Sequence, residues 1–235
     1  MRKTIIHPDY KALGSFIEKV PDLFDSEGTL IFSGRNQLKH YNINGISLII
    51  KRFKKPHAIN RFAYVTIRSS KAARSYRNAL RLRALEITTP TLIAYIEERF
   101  WGLGFSYYIT TEQKDMIEIR NIHSLYSEED SCKILTSFGV YTANLHKKGV
   151  LHKDYSAGNV LFRMENGQVY FSLVDINRMR FGSVSSEQGY KNFERLWLSD
   201  SDFITIAKAY AQERNLNPEE AIKQIRFYKN RFMKQ

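Results

Sequence analysis

Apolar positions along this chain change their period twice. From Pro8 to Phe24, the residues Leu13, Phe16, Ile17, Val20 and Leu23 fall at near-helical spacing, which predicts a helix with Pro21 as an interruption. Three β-like runs follow, over 29–32, 38–43 and 46–53, punctuated by Gly34, Asn36, Asn42, Asn44 and Gly45. Short apolar runs broken by such turn residues read as an antiparallel meander. In the third run Leu48, Ile50 and Arg52 alternate with Ile49, Lys51 and Phe53, so Lys51 shares a sheet face with apolar side chains.

Beyond Pro56 a basic, aromatic connection over 60–64 leads to a second helical pattern, for which Ser69 or Ser70 is the cap. Ala72, Ser75, Tyr76, Ala79 and Leu82 form one stripe of it, and Lys71, Arg74, Arg77 and Arg81 another. Pro90 disfavours helical geometry at Thr89 and closes the segment. Two more strands are expected over 92–96 and 105–110, with Trp101-Gly102 between them. Around Thr111-Glu112-Gln113 the period shifts to 3.6. A long helix opens with Ser127-Glu128-Glu129-Asp130, runs to about Lys148 and is stopped by Gly149. A hairpin turned at Glu165-Asn166-Gly167 comes next, then helices over roughly 186–198, 200–214 and 218–232, the last capped by Asn217. The pattern predicts an α+β protein in two parts. Residues 1–111 form a five-stranded antiparallel sheet with one inserted helix, and residues 112–235 are mainly helical.

Composition narrows the function classes. The single cysteine, Cys132, excludes an internal disulfide framework and is expected as a small buried residue on a helix. There is no apolar run of signal-peptide or bilayer-spanning length, so a soluble, cytoplasmic protein is expected. The net charge of +12 draws in anions, whether nucleotide phosphates, nucleic acid or acidic lipid headgroups. Neither zinc-finger spacing nor an RRM-type aromatic motif is present, which makes nucleic acid the weaker of these partners.

The chemistry gathers at His152-Lys153-Asp154-Tyr155-Ser156-Ala157-Gly158-Asn159-Val160-Leu161-Phe162. Asp154 follows a helix, Asn159 lies five positions on, and a later apolar strand closes on Asp175. Asp154 can accept a proton, while Asn159 and Asp175 offer the hard oxygens that a magnesium ion takes. That set suits phosphoryl transfer, in which positioning and charge neutralisation supply most of the catalysis. The spacing H-x-D-x-x-x-x-N resembles the kinase catalytic loop. Lys51 has two readings: the start of a solvated cluster with Arg52, Lys54 and Lys55, or an ammonium placed over nucleotide phosphates. Its company on the strand and the three oxygen-bearing residues downstream favour the second. Arg178, three residues past Asp175, is read first as a structural ion-pair partner and second as a phosphate contact.

The order of these features resembles the protein-kinase-like fold and, within it, the bacterial lipopolysaccharide kinases that act on Kdo and heptose. Ile50-Lys51-Arg52-Phe53, the helix from Ser70 to Tyr76, and Thr89-Pro90-Thr91-Leu92-Ile93-Ala94-Tyr95 carry the likeness in the first part. The stretch from His152 to Phe162 and the run from Val174 to Phe181 carry it in the second. The resemblance implies a two-lobed enzyme with ATP in the cleft between lobes. It also implies Asp154 as the base or aligning residue for the acceptor hydroxyl, Lys51 on the α- and β-phosphates, and Asn159 and Asp175 on Mg2+. Tyr107-Tyr108-Ile109-Thr110 would bond adenine through its backbone. The implied acceptor is an anionic glycolipid or sugar, met by a protein peripheral to the cytoplasmic face of the inner membrane.

The chain departs from the kinase pattern at several points. Ser75 stands where relatives carry the helix glutamate that pairs with the strand lysine, and Glu86 lies too far along to replace it. Asp175-Ile176-Asn177 replaces Asp-Phe-Gly, no Ala-Pro-Glu follows, and the loop at Gly34-Arg35-Asn36 lacks the repeated glycines of a phosphate-covering loop. A protein kinase, a catalytically weak nucleotide-binding scaffold and a basic nucleic-acid module therefore stand as alternatives.

Overall fold

The alternating run that carries Lys51 becomes an interior strand of a large antiparallel sheet. The computed structural model describes residues 1–55, 69–100 and 102–234, so the connection 60–64 and Trp101 lie outside the described residues. The sheet contains β1 (Arg2–Ile6), β2 (Thr29–Ser33), β3 (Asn36–Ile43), β4 (Ile46–Phe53), β5 (Leu92–Phe100) and β6 (Gly102–Thr111). Their spatial order is β1-β5-β6-β4-β3-β2. Helix α1 (Gly14–Leu23) lays Ile17 and Val20, with the following Phe24, against Leu48, Ile50, Ile96, Tyr107 and Ile109. This buried set is the core of the sheet.

The sheet holds six strands, one more than the pattern predicts. β1 sits at the edge, bonded to β5 with Ile5 opposite Tyr95, and most of its side chains are exposed. An edge strand held by main-chain bonds needs no apolar alternation, so it leaves no hydrophobic signature. Pro21 also fails to interrupt α1. It stands in the last turn, where it removes the bond to Ile17, and the Phe24 N–H still reaches the Val20 carbonyl at 2.9 Å. Helix α2 (Lys71–Ala84) is capped by Ser70, whose Oγ accepts the Ala73 N–H at 3.0 Å.

The chain divides into two compact units, residues 1–84 with 89–114, and residues 85–88 with 115–235. In the second, Ser127 caps α3 (Glu128–Lys147), with three carboxylates in the first turn. Cys132 lies exposed on this helix, not buried as composition suggests. The inward positions on either side of it, Ser131, Ile134 and Leu135, take the core-facing stripe. A short helix, Ile122–Leu125, precedes α3, and α4 (Ser186–Asn192), α5 (Asp200–Glu213) and α6 (Pro218–Met233) follow it. α4 ends six residues sooner than the pattern predicts, because Phe193 and Leu196 are buried from a turn, not from a helix.

Small sheets carry the loop of interest. β9 (Val160–Glu165) pairs with β10 (Gln168–Leu173) and with the short β7 (Ile117–Glu118). β8 (Val150–His152) pairs with β11 (Met179–Phe181). The segment 85–88 belongs here too, since the Leu173 N–H donates to the Thr88 carbonyl at 3.0 Å.

Candidate active site

Two backbone devices bring Asp154, Asn159 and Asp175 into one frame. The first is the β9–β10 ladder, in which Leu173 faces Val160. One step further, the Val174 N–H donates to the Asn159 carbonyl at 3.0 Å, so Asp175 leaves the ladder beside Asn159. The second is the ring of His152, which is buried. Its Nδ1 accepts the Asp154 N–H at 3.1 Å and its Nε2 donates to the Val174 carbonyl at 3.0 Å. Those bonds specify the neutral tautomer with the proton on Nε2. Burial holds the imidazole below its ordinary pKa, which agrees with that assignment.

Side chains then fix the donors. Asn159 gives its Nδ2 to the Asp154 carbonyl at 2.8 Å, which turns Oδ1 to the other side as an acceptor. Asp175 adopts φ +51°, a left-handed conformation that turns the chain sharply at the strand end, and its Oδ1 accepts from Asn177 Nδ2. The cost of such a conformation for an aspartate is on the order of 1 kcal/mol. An amide oxygen and a carboxylate on adjacent strand ends are the donor set Mg2+ takes when phosphate and water complete the shell. Among the described residues no three or more His, Cys, Asp or Glu gather into a metal cage.

The Asp154 carboxylate is held at both oxygens. Arg195 Nη1 donates to Oδ1 at 2.8 Å, and Arg178 Nη2 donates to Oδ2. Arg178 thus takes the ion-pair role that its position favours. Sequence reasoning misses Arg195, because nothing local marks a residue that pairs 41 positions away. The only trace it leaves is a basic residue inside a segment of helical period. A third guanidinium lies over the loop: a Cβ at Gly158 would stand 1.5 Å from Arg120 Nη2, so any larger residue there would push that flexible side chain aside. Behind the loop, Asn192 Nδ2 donates to the His152 carbonyl at 2.9 Å and Asn192 Oδ1 accepts from His146 Nε2 at 3.1 Å. These helix residues fix β8, and the sequence pattern does not mark them either.

Lys51 is carried by the first unit. It is half-buried on β4, opposite Leu38 and Tyr108, with its ammonium 5.3 Å from the Phe53 ring centre. Its neighbour Arg52, read from sequence as one of a solvated cluster, is instead buried. Arg52 Nη1 donates to Asp25 Oδ2 at 2.9 Å and its guanidinium lies 4.4 Å from the Phe24 ring. Helix α2 itself carries no carboxylate. Ser75, at the glutamate position, is buried and returns its hydroxyl to the Lys71 carbonyl at 3.0 Å. Glu86 lies past the helix end and is exposed.

Comparison with known proteins follows the same lines. A search of curated proteins finds no match. Among solved structures, one described as WaaP in complex with acyl carrier protein is similar, with a TM-score of 0.68. It is 13% identical over 99% of this chain and 98% of that one, a likeness of fold. The family described as lipopolysaccharide kinase (Kdo/WaaP) matches residues 25–216, including Lys51, Asp154, Asn159 and Asp175. With the match spanning most of its length, the chain belongs to the lipopolysaccharide kinase (Kdo/WaaP) family.

Proposed function

We propose that the chain transfers the γ-phosphoryl group of ATP to a hydroxyl of a lipopolysaccharide core sugar, Kdo or heptose, with Mg2+ as cofactor. Membership in the family supports the kinase class and the lipopolysaccharide acceptor. The observation that carries the mechanism is the His152-centred frame, which fixes the Asp154 and Asp175 backbones through one neutral ring. In this reading Asp154 aligns the acceptor hydroxyl and accepts its proton as the acceptor oxygen bonds the γ-phosphorus, the bond to the β-phosphate oxygen breaks and ADP leaves. Asn159 and Asp175 hold the metal, whose charge when bound offsets that of the phosphates. Lys51 contacts the α- and β-phosphates, whereas the backbone of residues 107–110, expected from the resemblance to bond adenine, is paired with β4 on one side and β5 on the other and has no open edge for a base. The first unit then serves the nucleotide and the second the acceptor. No helix among the described residues is long and apolar enough to cross a membrane. The proposed place of action is peripheral, at the cytoplasmic face of the inner membrane.

The test is incubation with labelled ATP, magnesium and a lipopolysaccharide-precursor extract. Wild type is expected to label a glycolipid fraction. Asp154→Asn and Asp175→Ala are each expected to lose about 100-fold or more, the scale of a lost positioned base or charge partner. Transfer of no label by wild type, or equal transfer by both variants, would sink the proposal. Label appearing on the enzyme or on added peptide instead would point to a protein kinase.

One observation favours a second reading. Helix α2 lacks the glutamate that kinases of this fold set against the strand lysine, which suits a weakly catalytic nucleotide-binding scaffold. That reading expects thermal stabilisation by ATP with magnesium and no turnover with any precursor.

A further inference from the structure

We propose that Arg178 and Arg195 form a specificity site for an anionic substituent, a carboxylate or a phosphate ester, borne by the acceptor beside the hydroxyl that reacts. The inference rests on the reading of Asp154 as the residue that aligns that hydroxyl, and it narrows the acceptor class.

Charge balance at Asp154 is the starting point. Its carboxylate, with 16% of the side chain exposed, is bonded at one oxygen by Arg195 and at the other by Arg178. The two guanidiniums occupy both oxygens of the carboxylate that a neutral hydroxyl has to reach. An acceptor with no charge of its own would have to compete with both cations for the same oxygens. An acceptor carrying an anion next to the hydroxyl offers them a second partner and frees a lone pair of Asp154.

The two arginines are built for that exchange. Each guanidinium carries five N–H donors in a planar fork that matches a carboxylate or a phosphate, and each gives Asp154 a single nitrogen. Their side chains are 54% and 38% exposed, so an incoming anion reaches them without displacing other groups. Their backbones are nevertheless fixed against the catalytic loop. The Arg178 carbonyl accepts the Lys153 N–H at 2.8 Å, and Arg195 bridges Ser156. The Phe232 ring lies 5.0 Å from the Arg195 guanidinium. A rigid base with a solvent-facing fork is the arrangement of a recognition residue.

The experiment compares three forms of the precursor extract: untreated, phosphatase-treated, and amidated at its carboxyl groups by carbodiimide and glycine methyl ester. Wild type is expected to lose at least about tenfold in kcat/KM on whichever treated form lacks the recognised charge, and to stay within about twofold on the other. The form that loses identifies the anion as phosphate or carboxylate. Arg178→Gln and Arg195→Gln are each expected to fall about tenfold on untreated extract but to discriminate little between charged and uncharged forms. Arg178→Lys and Arg195→Lys, which keep the charge without the fork, should restore part of the discrimination. If the arginines only hold Asp154 in place, every variant loses the same factor on all three forms, and the proposal is overturned. It is overturned equally if wild type labels all three forms alike, an outcome that leaves the kinase reading standing. Failure to label even untreated extract removes both.

Discussion

His146 shows how a buried residue with no part in the chemistry makes the protein sensitive to acid. Its Nδ1 meets the Tyr210 hydroxyl at 2.9 Å, its Nε2 donates to Asn192 Oδ1, and only 2% of the residue is exposed. Burial is the main cause that pushes its pKa from 6.5 down to about 4; the bond to Asn192 opposes the shift, and the positive charges of Arg214 and Arg180 add to it. The unfolded chain therefore takes up a proton near pH 6.5 that the folded chain refuses until about pH 4. Stability is complete above about pH 6.5, is lost as pH falls toward about 4, and is flat below, with a ceiling on the order of 3 kcal/mol. His152, shifted in the same direction, adds to that slope. His146→Gln is expected to flatten the dependence of the urea midpoint on pH between about 7 and 4; an unchanged slope would show that other groups set it. At this scale the sequence marks Asp154, Asn159 and Asp175 as candidates, because the motif that names them is local, and the folded chain sets their backbones in one frame. Arg52, Arg195 and Asn192 are not legible there, since each is defined by a partner that only the folded chain brings near.

Gly139 carries the corresponding constraint at the level of elements. It lies on α3 where α5 crosses, and a Cβ there would meet the Ile206 carbonyl oxygen at 2.6 Å and the Tyr210 nitrogen at 3.1 Å. Both are backbone atoms of a packed helix, so neither can swing aside. Gly139→Ala would gain about 1 kcal/mol of helix propensity but cost about 1–3 kcal/mol in forced separation of the helices. The cost is expected to win, with a fall in Tm of several degrees by calorimetry. A rise in Tm would mean that the crossing tolerates a methyl group. Helix existence is readable from the sequence because caps announce it: Ser70, Ser127 and Asn217 each accept the backbone N–H expected of them. Helix ends and short strands are less so. β8 and β11 are three residues each, and one step beyond their ladder the Gly149 carbonyl accepts the Gly182 N–H at 2.8 Å. Runs that short have too few positions to show a period.

Net charge acts at the scale of the whole molecule, and composition alone fixes it. A surplus of +12 creates a long-range field that raises the local concentration of anions, and salt screens it over about 10 Å at 0.1 M. The contacts at Arg178 and Arg195 are short-range and survive more salt than diffuse steering does. The two contributions therefore separate by ionic strength. Arg77, Arg81 and Arg83 are exposed on α2 and remote in sequence from the catalytic loop, so they test the diffuse part. The triple change Arg77→Gln, Arg81→Gln, Arg83→Gln is expected to weaken binding to anionic phosphatidylglycerol vesicles severalfold at about 0.02 M salt and hardly at all at about 0.5 M. Wild type should show the steeper salt dependence of the two in a co-sedimentation series. Coincident lines would mean that α2 contributes nothing to attraction and that the charge that matters sits elsewhere. Binding lost by the same factor at every salt concentration would mean instead that these arginines touch the headgroups directly, a contact role for a stripe whose spacing alone reads as a solvated helix face.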